Sequence, residues 1–192
     1  WYSAGKGTPA VKVWKDGSKS SAKVVTGNAE AISAENWQGK LYSAANKVNI
    51  ADYFEENTQY HYQYTDNYTG DDSVWSAEYD YTTKATDKFS VILTGDPQVG
   101  ASGSSSDKSA NDASVARDAY NWNKTMQQAL KTCPDASFLL SAGDQINQSG
   151  ATKDDDKKTR ESEYAGYLYP SVFRSLPIAA TIGNHDMAGS DY

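Results

Sequence analysis

Three short apolar runs, each closed by glycine and an acidic or amide residue, constrain the fold of this 192-residue chain more than any other feature. They are Val91-Ile92-Leu93 before Gly95-Asp96-Pro97-Gln98, Phe138-Leu139-Leu140 before Gly143-Asp144-Gln145-Ile146-Asn147, and Ile178 to Ile182 before Gly183-Asn184-His185-Asp186. A short continuous apolar run bounded by turn residues predicts a buried strand of a parallel sheet. Sheets of that kind place their chemistry at the carboxyl ends of the strands. Three such ends carrying Asp, Asp and Asn-His would bring carboxylate, amide and imidazole groups into one crevice. That donor set suits a metal site for phosphate chemistry, because hard cations take carboxylate and amide oxygens and imidazole can complete the shell.

The intervening sequence fits this reading. The first strand is expected over Phe89–Thr94, after a short linker at Ala85-Thr86-Asp87. Residues Ala101 to Ala110, rich in Ser and Gly, read as a mobile surface loop. Asn111 or Asp112 can then cap a helix. Val115, Ala119, Trp122, Met126 and Ala129-Leu130 recur at helical spacing and give it one apolar face, so Trp122 and Met126 are core residues. Pro134 ends this helix, and Ser137–Ala142 is the second strand. The charge run Lys153 to Lys158 lacks the Asp-x-Asp-x-Asp-Gly spacing of a calcium loop and reads as a solvated loop. A second helix is expected over Glu161–Phe173, from Tyr164, Leu168 and Val172 at spacing four, with a break at Pro170. Strand, helix, strand, helix, strand is half of a layered α/β sandwich. Its sheet should expose an apolar edge or face.

Residues 1–84 read as β. Val11 to Trp14 alternates before a turn at Asp16-Gly17, and Ala22–Thr26 and Lys40–Ile50 are further strand candidates. Tyr60-His61-Tyr62-Gln63-Tyr64 alternates strictly between aromatic and polar residues, the pattern of a half-buried strand. Val74-Trp75-Ser76 and Glu78–Tyr81 follow the turn region Asn67–Asp72. Short strands at this spacing predict a β-sandwich. The tyrosines are assigned to core packing. His61 is placed facing solvent or an interdomain surface, with no metal role.

The order Gly-Asp, Gly-Asp, Gly-Asn-His-Asp resembles the calcineurin-like metallophosphoesterase superfamily, and within it the purple-acid-phosphatase-like branch that carries a sandwich ahead of the catalytic domain. Asn57 to Tyr62 is similar to a strand of fibronectin type III-like domains, and Trp1-Tyr2 resembles the middle of such a domain's early core strand. The resemblance implies a β-sandwich over 1–84, with one or two opening strands missing. It implies the first half of a βαβαβ metallophosphoesterase sandwich over 85–192. It also implies two metal ions, drawn from iron, zinc or manganese, and a phosphate-ester substrate hydrolysed by metal-activated water. Asp96 would bind the first metal, Asp144 would bridge both, and Asn184 would bind the second through its side-chain oxygen. His185 would stay unligated and act on the phosphate, either as general acid toward the leaving group or by stabilising developing charge. Gln98 stands where the family more often has histidine. Its amide oxygen would bind the first metal or only hydrogen-bond a bound water.

The family uses further histidines on later loops, whereas this sequence has His61 and His185 alone. The expectation is therefore that the chain is the N-terminal part of a larger enzyme, or half of a nicked one, and is inactive without the C-terminal half. The alternative is a non-catalytic cell-surface binding protein with a degenerate metal domain, favoured by Gln98. A net charge of −7 argues against nucleic-acid binding. No apolar stretch approaches the ~20 residues that span a bilayer. The start at Trp1 reads as internal, so that a leader could have been removed. Cys133 has no cysteine partner in the chain and reads as a small half-buried residue. Richness in Tyr, Asn, Ser, Thr and Gly, together with the resemblance, points to a secreted or cell-surface bacterial protein.

Overall fold

The structure is a computed structural model and describes residues 1–37, 40–103, 108–150 and 153–187. The chain divides into two compact units, the first formed by Trp1–Ile32 and Leu41–Phe89, the second by Ser33–Lys40 and the chain from Ser90 onward.

The first unit is built from antiparallel sheets. Strands β1 (Tyr2–Ser3), β2 (Ala10–Lys15), β3 (Lys23–Thr26), β4 (Asn28–Trp37), β5 (Lys40–Lys47), β6 (Gln59–Thr65) and β7 (Tyr79–Thr82) form a four-stranded sheet in the order β3-β2-β6-β7 and a three-stranded sheet in the order β1-β5-β4. The arrangement is consistent with a sandwich. In β6 burial does not alternate strictly, since His61, Tyr62, Gln63 and Tyr64 are all half-buried. Tyr60 is buried, and with Val11 and Val13 it centres a core on which Trp1, Val48, Ile50, Phe54, Tyr62 and Tyr64 pack.

Three expectations for this unit are corrected. Val74 to Ser76 forms no strand, and Val74 is 85% exposed. β4 was not anticipated from the sequence, because Asn28-Ala29-Glu30-Ala31 carries small and polar residues of low strand propensity. His61 lies at the surface but is not a free solvated ring: its side chain is 15% exposed, with the exposed carboxylates of Asp80 2.7 Å from Nδ1 and of Asp16 2.9 Å from Nε2. Trp14 stacks on the ring. Cross-strand pairing of His61 with Trp14 and with Asp80 brings these distant residues together. The hydrogen bond to Asp16 is the main cause that raises the imidazole above its ordinary range, and Asp80 adds to it.

The second unit holds a parallel sheet in the order β10-β9-β8, from β8 (Ser90–Thr94), β9 (Ala136–Ser141) and β10 (Ile178–Ala180). All three apolar runs are strands, but of the three only β9 has buried residues, which corrects the expectation of buried strands for β8 and β10. The register sets Thr94 and Ala180 level with Ser141 between them. Helix α1 (Lys108–Thr132) connects β8 to β9, and α2 (Asp154–Tyr167) precedes β10. Val115, Ala119, Trp122 and Met126 form the buried face of α1. Trp122 stacks on Tyr167 at the end of α2, and its indole N–H donates to the Tyr167 carbonyl at 3.0 Å. On β8, Val91 and Leu93 alternate outward and are exposed, as is Ile182 beyond β10.

The helix ends differ from the sequence reading. α1 starts before Asn111 and Asp112, so neither caps it. Of the expected loop over 101–110, residues 104–107 lie outside the described residues. Gly100 and Ser102 are anchored to α1, their N–H groups donating to the Asp118 carboxylate at 3.0 and 3.1 Å. The charge run is not a solvated loop: Asp154, Asp155 and Asp156 form the first turn of α2, where negative charge complements the helix dipole. α2 then stops at Tyr167, and Pro170 opens a separate turn of 3₁₀ helix at Ser171–Arg174. The buried face of α2 carries Arg160, Ser162, Glu163, Gly166 and Tyr167. A search for apolar periodicity passes over such a face.

Candidate metal and phosphate site

The loops after the three strands meet because the strand ends are level. The first two zip together through the backbone: Gln98 N–H donates to the Asp144 carbonyl at 3.0 Å, and Val99 N–H to the Gln145 carbonyl at 3.1 Å. The second and third approach backbone to backbone. A Cβ on Gly183 would lie 2.0 Å from Asp144 Oδ1, and one on Gly143, whose φ is +105°, would lie 2.7 Å from the Gly183 nitrogen. Glycine is therefore required at both positions.

Asp96 and Asp144 share one unusual conformation, each with φ of +49°, and Gln98 also has positive φ. Such angles are uncommon outside glycine, cost free energy, and cluster at functional sites. The turns aim the two carboxylates toward one amide. Gln98 Nε2 lies 3.5 Å from Asp96 Oδ1 and 3.5 Å from Asp144 Oδ2. The two ends of an amide interchange by a flip, so the same position can present Oε1. Asp144 is buried and accepts the backbone N–H of His185 at 2.9 Å, while Asp96 is exposed.

Asn184 is exposed on the third loop. The His185 imidazole sits with Nδ1 2.5 Å from the Asn147 carbonyl. A carbonyl only accepts, so Nδ1 carries the proton, and Nε2 is the nitrogen available for chemistry. The structure thus brings the Gln98 amide within reach of both the Asp96 and the Asp144 carboxylate and ties His185 to Asp144 through its backbone.

Several supporting residues escaped the sequence reading. Asp186 is fully buried and accepts from Gly183 N–H at 2.8 Å and the Tyr164 hydroxyl at 3.1 Å, turning the third loop. Glu163 accepts the N–H groups of Asn147 and Gln148 at 3.0 and 2.7 Å. Burial pushes its carboxyl up to about 7, against those two hydrogen bonds and the nearby Arg160 charge, with Asp118 adding to the rise. Arg160, three residues before it, is also buried. Their i, i+3 spacing on α2 was the available signal.

Two carboxylates and two amides supply part of a hard-cation shell. Among the described residues no group of three His, Cys, Asp or Glu side chains is arranged to hold a metal ion. The donors present are therefore too few to form a closed metal shell among the described residues.

No family model matches the chain. Nor does a search of curated proteins find a match. Among solved structures, the chain is similar to purple acid phosphatase PPD1 isolated from yellow lupin (Lupinus luteus) seeds, at 17% identity and a TM-score of 0.54. The likeness covers 100% of this chain and 34% of that one, so this chain spans about a third of that protein's length. At this identity the shared property is the fold: antiparallel sheets, then a three-stranded parallel sheet with two helices.

Proposed function

We propose that the loops after β8, β9 and β10 form one side of a two-metal phosphoesterase site, active in a longer protein that supplies the remaining ligands. The observation that carries this reading is the convergence of the Asp96 and Asp144 carboxylates on the Gln98 amide, at the level ends of parallel strands. In this proposal Asp96 and Gln98 hold the first metal, Asp144 bridges to the second, and Asn184 contributes its amide oxygen there. The metals, from iron, zinc or manganese, would supply an ionised water and neutralise phosphate charge. His185 acts through Nε2 on the phosphate ester. Because Nδ1–H is held by a carbonyl, a second proton enters and leaves at Nε2, which is what a general acid toward the leaving oxygen requires. The division into a fibronectin type III-like sandwich over 1–84 and a catalytic half over 85–192, and export to the cell surface or beyond, belong to the same proposal.

Replacing His185 with Asn in the full-length protein tests it. Turnover of a generic aryl phosphate should fall by roughly 10²–10⁴-fold while bound metal is retained. Unchanged turnover would refute the role.

A second reading has its own observation. Glutamine at position 98 and the lack of a three-residue His, Cys, Asp or Glu group among the described residues both suit a non-catalytic binding protein with a degenerate site. The two readings separate on the full-length sequence: later histidines favour the enzyme, and their absence favours the binding protein.

A further inference from the structure

Arg160 and Glu163 form no part of the converging donor set, yet both are almost fully buried beneath it, at 5% and 3% exposure. A buried guanidinium needs an explanation, because removing it from water is costly unless its donors are used. Here they are spent on backbone carbonyls. Nη1 donates to the carbonyls of Gln148 at 2.7 Å and His185 at 2.8 Å, and Nη2 to that of Asp186 at 2.7 Å. One planar fork thus binds the second loop to the third. Glu163 holds the same segment by its other polar groups, the N–H groups of Asn147 and Gln148. The Asn147–Gln148 segment is gripped on both sides from one face of α2. The Asn147 carbonyl left between these grips accepts His185 Nδ1.

We infer that Arg160 and Glu163 are positioning residues for His185: together they fix the Asn147 carbonyl and the His185 backbone, and so set the imidazole tautomer and orientation. A lysine could not replace Arg160, since one ammonium cannot reproduce the fork that spans three carbonyls. Tyr164, one position beyond Glu163, extends the support by donating to Asp186. The catalytic consequence rests on the phosphoesterase reading above, while the positioning itself does not.

The test uses the full-length protein with Arg160→Ala, Arg160→Lys and Glu163→Ala, each checked for native secondary structure and cooperative unfolding. Nitrogen-15 spectra of the His185 ring, taken where it is neutral, should show one Nδ1–H tautomer in the wild type. The expected result is a mixed or Nε2–H population in the variants. Exchange of the Gln148 amide should quicken by roughly tenfold or more in Glu163→Ala, as loss of its hydrogen bond to the buried carboxyl allows, whereas the Asn147 amide keeps a second acceptor in the Val99 carbonyl at 3.1 Å. Turnover of an aryl phosphate should show kcat reduced by roughly 100-fold in Arg160→Ala, with KM little changed, the scale expected of a displaced catalytic group. Added guanidinium ion should restore part of that loss. A folded Arg160→Ala protein with a single Nδ1–H tautomer overturns the inference. Should that variant not fold, a folded Arg160→Lys protein with wild-type tautomer overturns it equally. A wild-type protein without phosphatase activity would remove the phosphoesterase reading, and the tautomer would still decide the positioning role.

Discussion

Glu163 ties the pH dependence of stability to the support beneath the site. Its carboxyl is 3% exposed, and burial moves it from 4.5 to about 7. The unfolded chain therefore releases this proton near pH 4.5, while the folded chain keeps it until about pH 7. Across that window the folded state binds more protons, so stability falls as pH rises. The contribution is fully present below pH 4.5 and is lost as pH passes through about 7. The displacement corresponds to about 3 kcal/mol. Glu163→Gln removes the titration and keeps an oxygen that can accept the N–H groups of Asn147 and Gln148. Urea unfolding of both proteins at closely spaced pH values measures the effect, and the difference between their stability curves isolates Glu163 from every other titrating group. That difference should change by about 3 kcal/mol between pH 4.5 and 8, with the glutamine variant favoured at the alkaline end. Asp118 and Arg160 stay the same in both proteins, so their charges cancel. A flat difference curve would refute the claim that the carboxyl is buried in a costly setting.

His61 should titrate above 6.5 in the folded protein, as followed by its ring proton shifts, and Asp16→Asn should lower its midpoint. Its stabilising contribution is present below pH 6.5 and is lost as pH rises through the raised folded value, the direction being checked by comparing wild-type and His61→Asn melting across that range. Gly183→Ala should cost about 1–3 kcal/mol in urea unfolding, because its Cβ meets Asp144. Gly5→Ala, where nothing lies within 4 Å, should be close to neutral, and equal effects at the two glycines would remove the close approach of the second and third loops.

The parts of the fold legible in sequence were those with a strong local pattern, although β8 and β10 are not the buried strands that their apolar runs predict. The apolar runs of β8, β9 and β10 and the four-residue spacing of Val115, Ala119, Trp122 and Met126 are strong signals, and both resolve into the expected elements. β6 was readable because aromatic and polar residues alternate. α2 was misplaced because its buried face is polar, so that its chain signal resembles a solvated charge run. The three clusters do lie at the ends of strands, and the Gln98 amide reaches both Asp96 and Asp144. What escaped was the support beneath them. Arg160 and Glu163 act on backbone groups, which carry no sequence signature. The partners of His61 escaped for a related reason: Asp80 comes from β7 and Asp16 from the turn after β2, and only the pairing register brings them to it.

The central claim is that these strand-end loops hold metal for phosphate chemistry, and metal content measures it most directly. The full-length protein, purified without chelator and analysed for iron, zinc and manganese alongside aryl phosphate turnover, should carry roughly two metal ions per chain. Asp144→Asn should lose bound metal and turnover together, because Asp144 is the proposed bridge. Wild-type protein without metal, or an Asp144→Asn variant that keeps its full metal content and rate, would contradict the account.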